Sequence, residues 1–302
     1  MTDPVLVIGE ALIDIVEAAG AAPEEHVGGS PANVALGLGR LGIPVRLRTA
    51  LARDERGERI AAHLRASGVD IDPASFALDR TATALARLGP EGNASYEFDI
   101  DWRLAGPVAL GDARVLHVGS IGCYIEPGAS AVRDAVRDAV RGLAERARVS
   151  FDPNIRPALV GDRERAVAVT EDLVGVCDLV KLSDEDAAWL YPGSGADEVI
   201  DRFLALGARI VAITRGAEGA VLASRDAHVT VAPRPVHAQD TVGAGDTFMA
   251  ALVAALAAGE LGGDAASLRR AGETAAVAAS LTVSRRGADL PTRAELGAAL
   301  RS

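Results

Sequence analysis

The sequence predicts an α/β protein built on a mainly parallel sheet with helices on both faces and a small β lid. Three observations predict it. Short, nearly continuous apolar runs alternate with longer stretches of helical periodicity, which is how parallel strands covered on both faces read. The last third of the chain is rich in helical pattern. Two segments, about 12–27 and 81–102, interrupt the alternation and resemble exposed hairpin material. The chain has 302 residues, 49% of them hydrophobic, enough to bury a full core. No repeat or linker divides it, so residues 1–302 are expected to form one domain.

The elements follow in order. Val5–Gly9, Val115–Val118, Val149–Asp152, Leu179–Lys181 and Ile210–Thr214 are short apolar runs and are expected to be buried strands. Between them, Pro31–Leu41, Gly57–Ala66, Ala129–Arg146, Arg163–Val176 and Glu198–Leu206 carry helical spacing. Ala244–Ala258, Ala265–Leu281 and Thr292–Leu300 complete the helices. Leu12–Val27 and Thr81–Trp102, the latter with a Gly92-Asn93 turn signal, supply the lid over the carboxyl edge of the sheet.

Bulk properties remove several functional classes. A formal net charge of −11 is the wrong sign for a protein that binds the phosphates of nucleic acid. The longest apolar run, Thr247–Ala258, is shorter than the roughly 20 residues a membrane helix requires, so no membrane association is expected. Cys123 and Cys177 have no metal-type or redox spacing, and Met1–Pro4 lead straight into a strand run without a basic leader. A reduced, cytoplasmic protein is therefore expected. The five histidines show no zinc spacing.

Two glycine motifs carry chemistry. In Asp240-Thr241-Val242-Gly243-Ala244-Gly245-Asp246, small residues leave backbone amides uncovered where a helix begins. Unpaired donors and the positive end of the helix dipole suit a phosphate there. Asp246, in the first turn, is placed to take a proton from an alcohol beside that phosphate, although a first-turn acid also stabilises a helix without any chemistry. In Gly28-Gly29-Ser30-Pro31-Ala32-Asn33, the glycines allow close approach of a ligand and Asn33 projects an amide from a helix start. Asp14 lies just beyond the first strand, at the edge where open sheets bind ligands. Asp14 and Asn33 together suit vicinal hydroxyls; singly, each also suits a turn or cap.

Other motifs fail on inspection. Gly37-Leu38-Gly39-Arg40-Leu41-Gly42 matches the dinucleotide fingerprint by letter but lies within a helix rather than between strand and helix. Only one of the 31 Lys and Arg residues is a lysine, Lys181. It is flanked by Val180 and Leu182, so no P-loop exists, and the protein-kinase motifs are absent too.

With both glycine motifs in order near opposite ends, the chain resembles the ribokinase-like, or pfkB-type, family of carbohydrate kinases over essentially its whole length. The resemblance implies a ribokinase-like domain that uses ATP and Mg²⁺ on a small-molecule sugar, with K⁺ at a monovalent cation site in many members. It implies Asp246 as general base, with Gly243, Ala244 and Gly245 forming an anion hole. Asp14, Gly28, Gly29 and Asn33 match sugar contacts, and Thr214 and Gly216 match a nucleotide-phosphate turn. Asp240 and the Gly287 region match the cation site. Where the family commonly shows Asn-x-x-Glu near magnesium, this chain has Ser183 and Asp186, so Ser183 is assigned to the nucleotide and Asp186 to Mg²⁺ through water. Details including Asp152-Pro153-Asn154-Ile155-Arg156-Pro157 are most similar to bacterial fructokinases, which adds Arg156 to the sugar contacts. A homodimer through the lid is also expected.

Two rivals stay open at this stage. A 2-keto-3-deoxygluconate kinase would favour an arginine in the lid to meet its acid substrate, where this lid has Tyr96-Glu97-Phe98-Asp99 but also Arg87. A catalytically silent sugar-binding module on the same fold would not need Asp246.

Overall fold

The computed structural model describes residues 2–18, 22–88, 94–142 and 147–301. Its centre is a nine-stranded sheet in the order His228–Val231, Ala220–Ala223, Ile210–Thr214, Leu179–Ser183, Arg148–Asp152, Val115–Gly119, Val5–Ile8, Val45–Arg48 and Val69–Ile71. All pairings are parallel except those of Ala220–Ala223 with its two neighbours, which are antiparallel. Alternation along each strand sends side chains to two separate cores. Val5 and Val7 pack with the helices Ser30–Arg40, Ala244–Ala257 and Ala265–Val283. Leu6 and Ile8 pack with Gly128–Arg141, Arg163–Val174 and Ala196–Leu206. Strands buried on both faces need apolar residues at every position, hence the continuous runs in the sequence.

Helix starts are set by local chemistry. Asp54 and Asp264 accept backbone N–H bonds at the starts of Glu55–Arg65 and Ala265–Val283, and Thr292 with Glu295 forms a capping box ahead of Arg293–Ala299. The glycines of the dinucleotide-like motif have a packing role. A Cβ on Gly37 would lie 2.7 Å from both Ala250 Cβ and a Leu290 methyl, so its absence lets the two site-bearing helices touch. Gly39 lies against the Ser67 carbonyl, and Gly42 takes the left-handed conformation just past the helix end.

The two interrupting segments meet in a second, four-stranded sheet ordered Glu24–Gly28, Leu12–Ala18, Thr83–Leu88, Ala94–Asp99. Its inner pair is parallel, with Ile13 opposite Thr83. The Gly92-Asn93 turn lies outside the described residues. The last strand stops at Asp99, and Trp102 instead joins the main core, where its Nε1 donates to the Gly122 carbonyl at 2.9 Å. The helix expected over 129–146 is described to Arg141. Four strands of the large sheet and the helix Asp184–Leu190 are additional to the elements expected. Among the described residues, no helix is long and apolar enough to cross a membrane.

Candidate active site

The carboxyl ends of the central strands and the first turns of two helices converge beside the small sheet. Ser30–Arg40 begins with a proline in its first turn, a residue that loses nothing there because its missing N–H would have had no partner. A Cβ on Gly9 would lie 2.2 Å from the Pro31 ring, so glycine at the end of the first strand allows that helix start to close on it. Ala244–Ala257 begins at Gly243, whose φ of 78° is left-handed, and no side chain caps its amides. Ala244 N donates to the Thr241 carbonyl at 3.2 Å, and the remaining first-turn donors suit an anion.

Asp246 joins these two helix starts. Its Oδ1 accepts from Ser30 Oγ at 2.6 Å and its Oδ2 accepts from Asn33 Nδ2 at 2.8 Å. Ser30 was not singled out from sequence; its position between Gly29 and Pro31, at a helix start, was the available signal. Gly29 is left-handed at φ 102°, and a Cβ there would meet the Glu10 carbonyl at 2.5 Å.

Asp14 occupies the inner part of the small sheet, paired across it with His26. A Cβ on Gly28 would lie 1.9 Å from Asp14 Oδ2, so this glycine is what gives the carboxylate room. Burial raises the Asp14 pKa to about 6, against the opposing pull of Arg156 and His26, while Asp246 raises it further. Arg156 and Asp246 are thus within electrostatic reach of Asp14. Arg156 stands just before the short helix Pro157–Val160.

The residues expected on the nucleotide side lie on neighbouring strand ends. Thr214 ends its strand with Oγ1 donating to the Leu182 carbonyl at 3.5 Å, and Gly216 is left-handed at φ 49° with open space beside it. Ser183 caps the helix Asp184–Leu190 in a capping box with Asp186. Asp186 is buried, and its oxygens already accept from Ile155 N, Ser183 N and Ser183 Oγ at 2.8, 3.0 and 2.7 Å. Among the described residues, no three His, Cys, Asp or Glu side chains cluster to hold a metal. Asp240 ties two loops together by accepting from Val242 N at 3.0 Å and Gly287 N at 2.9 Å. The Val242 amide is the chief cause holding its pKa below the ordinary carboxylate value.

Three further features were not read from the sequence. Glu10 is buried, accepts from Gly122 N at 3.0 Å and is pushed up to about 7 by burial, which outweighs its hydrogen bond to Ser120. Ser120 and Asn154 both adopt positive φ, 53° and 38°, at adjacent strand ends, where Asn154 Nδ2 donates to Ser120 Oγ at 3.4 Å. Such backbone outliers concentrate at ligand sites. Lys181 Nζ and Asp152 Oδ2 form a buried ion pair at 2.9 Å.

Comparison with known proteins identifies the family. Residues 2–295 match the pfkB family carbohydrate kinase model, and the chain belongs to that family. It is 37% identical over 266 residues to a fructokinase of Rhizobium leguminosarum bv. trifolii, covering 83% of this chain and 79% of the relative. Among solved structures, a fructokinase from Xylella fastidiosa with bound ATP superposes with a TM-score of 0.85 at 25% identity, covering 100% of this chain and 99% of that one. A double mutant of the Vibrio cholerae O395 fructokinase with fructose, ADP and potassium ion bound superposes at 0.83 with 26% identity, covering 99% and 98%. The protein is thus a carbohydrate kinase of ribokinase-like fold.

Proposed function

We propose that this protein transfers the γ-phosphoryl group of ATP to a primary hydroxyl of fructose. The observation that carries the reading is Asp246, a carboxylate at an uncapped helix start, held by Ser30 and Asn33 and electrostatically coupled to Asp14. Asp14, Asn33 and Arg156, with the bare backbone of Gly28 and Gly29, hold the sugar. Asp246 takes the proton of the attacking hydroxyl. The amides of Gly243, Ala244 and Gly245 meet the phosphoryl oxygens as their charge develops. Thr214, Gly216 and Ser183 line the nucleotide phosphates. A magnesium ion arriving with the nucleotide would supply charge neutralisation on those phosphates, and Asp186, whose oxygens already accept from Ile155 and Ser183, would hold it only through water. Asp240, depressed by backbone amides, is the carboxylate for a monovalent cation such as K⁺. The small sheet closes over the sugar as a lid and excludes water, and its exposed outer strand, with Tyr96 65% exposed and stacked on Phe98, offers a face for a homodimer.

The acid-sugar alternative is disfavoured by the lid's own arginine. Arg87 donates to Glu17 Oε2 at 3.0 Å and to Glu97 Oε2 at 2.8 Å, so its charge is already matched. A coupled assay of ADP release over fructose, ribose, adenosine and 2-keto-3-deoxygluconate tests the assignment. Fructose is expected to give the highest kcat/KM. Equal or better turnover of the keto acid overturns the substrate while leaving the kinase. Sugar and ATP binding without ADP release would make the protein a silent binding module.

A further inference from the structure

The phosphoryl-transfer reading leaves the chain's one lysine unused, and its position is specific. Lys181 lies on the strand Leu179–Ser183 with its side chain 5% exposed, against an Asp152 side chain that is 1% exposed. Its Nζ lies directly under the helix start, because a Cβ built on Gly245 would fall 3.0 Å from it. A side chain at residue 245 would therefore crowd the ammonium group. One of the 31 Lys and Arg residues is lysine, in a chain that uses arginine everywhere else. A lysine presents a compact charge where the planar arginine fork would need more room. A buried ion pair is also poor evidence of stabilisation, since well-packed apolar residues usually do as well. These observations together point away from a purely architectural pair.

We propose that Lys181 is a positioning residue for phosphoryl transfer, its ammonium fixed by Asp152 beneath the Gly243–Asp246 turn as the permanent positive charge of that phosphate-binding turn. The inference rests on the kinase reading above. Burial works against the Lys181 charge, but the Asp152 carboxylate outweighs it, so the amine is held above its ordinary range, with Asp186 and Asp246 acting in the same direction. His117, two strands away across Arg148–Asp152, is pushed down to about 3, chiefly by burial and then by Lys181, and stays neutral. Asp246 accepts from Ser30 and Asn33, and the acids Asp14 and Asp152 and the cation Lys181 lie within electrostatic reach of it. Lys181 acts on Asp246 and on the loop amides without touching the sugar.

The test uses two substitutions of opposite charge effect, K181M and D152N, with the double variant K181M/D152N in case a lone buried charge prevents folding. On fructose, K181M is expected to lower kcat by about tenfold or more, as loss of a fixed transition-state charge does, with fructose KM within about threefold. The acidic limb of its kcat/KM profile should move to higher pH, whereas that of D152N should move to lower pH. A merely structural pair would not displace the limb in opposite directions. If both limbs stay in place, or the double variant keeps wild-type kcat, the proposal is wrong. A second readout needs no turnover. Protein grown with lysine labelled with ¹⁵N at Nζ carries a single labelled ammonium. Its signal should shift when beryllium fluoride is added to the saturated Mg-ADP complex, and an unmoved signal would also overturn the proposal. Wild-type protein that releases no ADP with any sugar would instead refute the kinase reading itself.

Discussion

Asp246→Asn is expected to lower kcat by about 10²–10⁴, the usual cost of removing a general base, while fructose and ATP affinities change little. Asparagine keeps the size of the side chain and one acceptor oxygen at the helix start, but it cannot take up the proton. Its second oxygen becomes an NH₂ group facing the donors that Asp246 now satisfies, Ser30 Oγ and Asn33 Nδ2. The NH₂ can donate to Ser30 Oγ, which then accepts, while the remaining oxygen still accepts from Asn33 Nδ2. Two charge-assisted bonds become neutral ones, costing about 1 kcal/mol, and the lost first-turn charge adds about 0.3–1 kcal/mol. These costs are too small to unfold a domain of this size, so inactivation and unfolding are separable. Kinetics, calorimetric binding and melting should be measured on one preparation. If the carboxylate were only a helix-start acid, kcat would fall less than about tenfold.

Asp14→Ala is expected to weaken fructose binding by about 2–4 kcal/mol, since a carboxylate accepting from two hydroxyls is worth more than neutral hydrogen bonds. ATP binding should be nearly unaffected. The pH dependence has a definite sign. The Asp14 pKa is raised to about 6, and its ionised form accepts the sugar hydroxyls, so wild-type fructose affinity should fall as pH drops through about 6. The variant should lose that dependence. For stability the linkage runs the other way. A carboxyl with a raised folded pKa contributes stability below its unfolded value and loses it as pH rises through about 6. The variant should therefore melt no lower than wild type at neutral pH. Isothermal titration at several pH values checks both statements, and an unchanged fructose Kd would make Asp14 a structural acid.

Much of this was legible in the chain because periodicity reports burial. Ile210–Thr214 is a strand over the expected residues, and the apolar runs of the other central strands were readable because both of their faces are covered. The outer strands were missed for the converse reason. Val69–Ile71 is three residues long, and His228–Val231 alternates buried and exposed positions, so neither forms a continuous apolar run. Asp184–Leu190 begins with three acids, of which Asp186 was expected near magnesium from the family resemblance, and the stretch was not expected to be helical. Their place in a helix's first turn depends on the cap that Ser183 provides.

The site divides along similar lines. Glycines imposed by local conformation, such as left-handed Gly29 and Gly243, announce themselves in sequence. Pairings across the fold do not. The approach of Ser30 to Asp246 spans 216 positions, and that of Lys181 to Asp152 depends on two strands lying side by side. Gly37 shows the reverse error, a letter match to a nucleotide motif whose cause is close packing against Ala250 and Leu290.

The central claim is that the groups gathered around Asp246 make a sugar phosphate. Its most direct test is ³¹P and ¹³C NMR of a reaction containing the wild-type protein, Mg-ATP and uniformly ¹³C-labelled fructose. The account predicts one phosphate monoester, coupled to a CH₂ carbon of the sugar and formed in step with ADP. Release of inorganic phosphate without a sugar ester, or an ester on a ring CH–OH carbon, would contradict it.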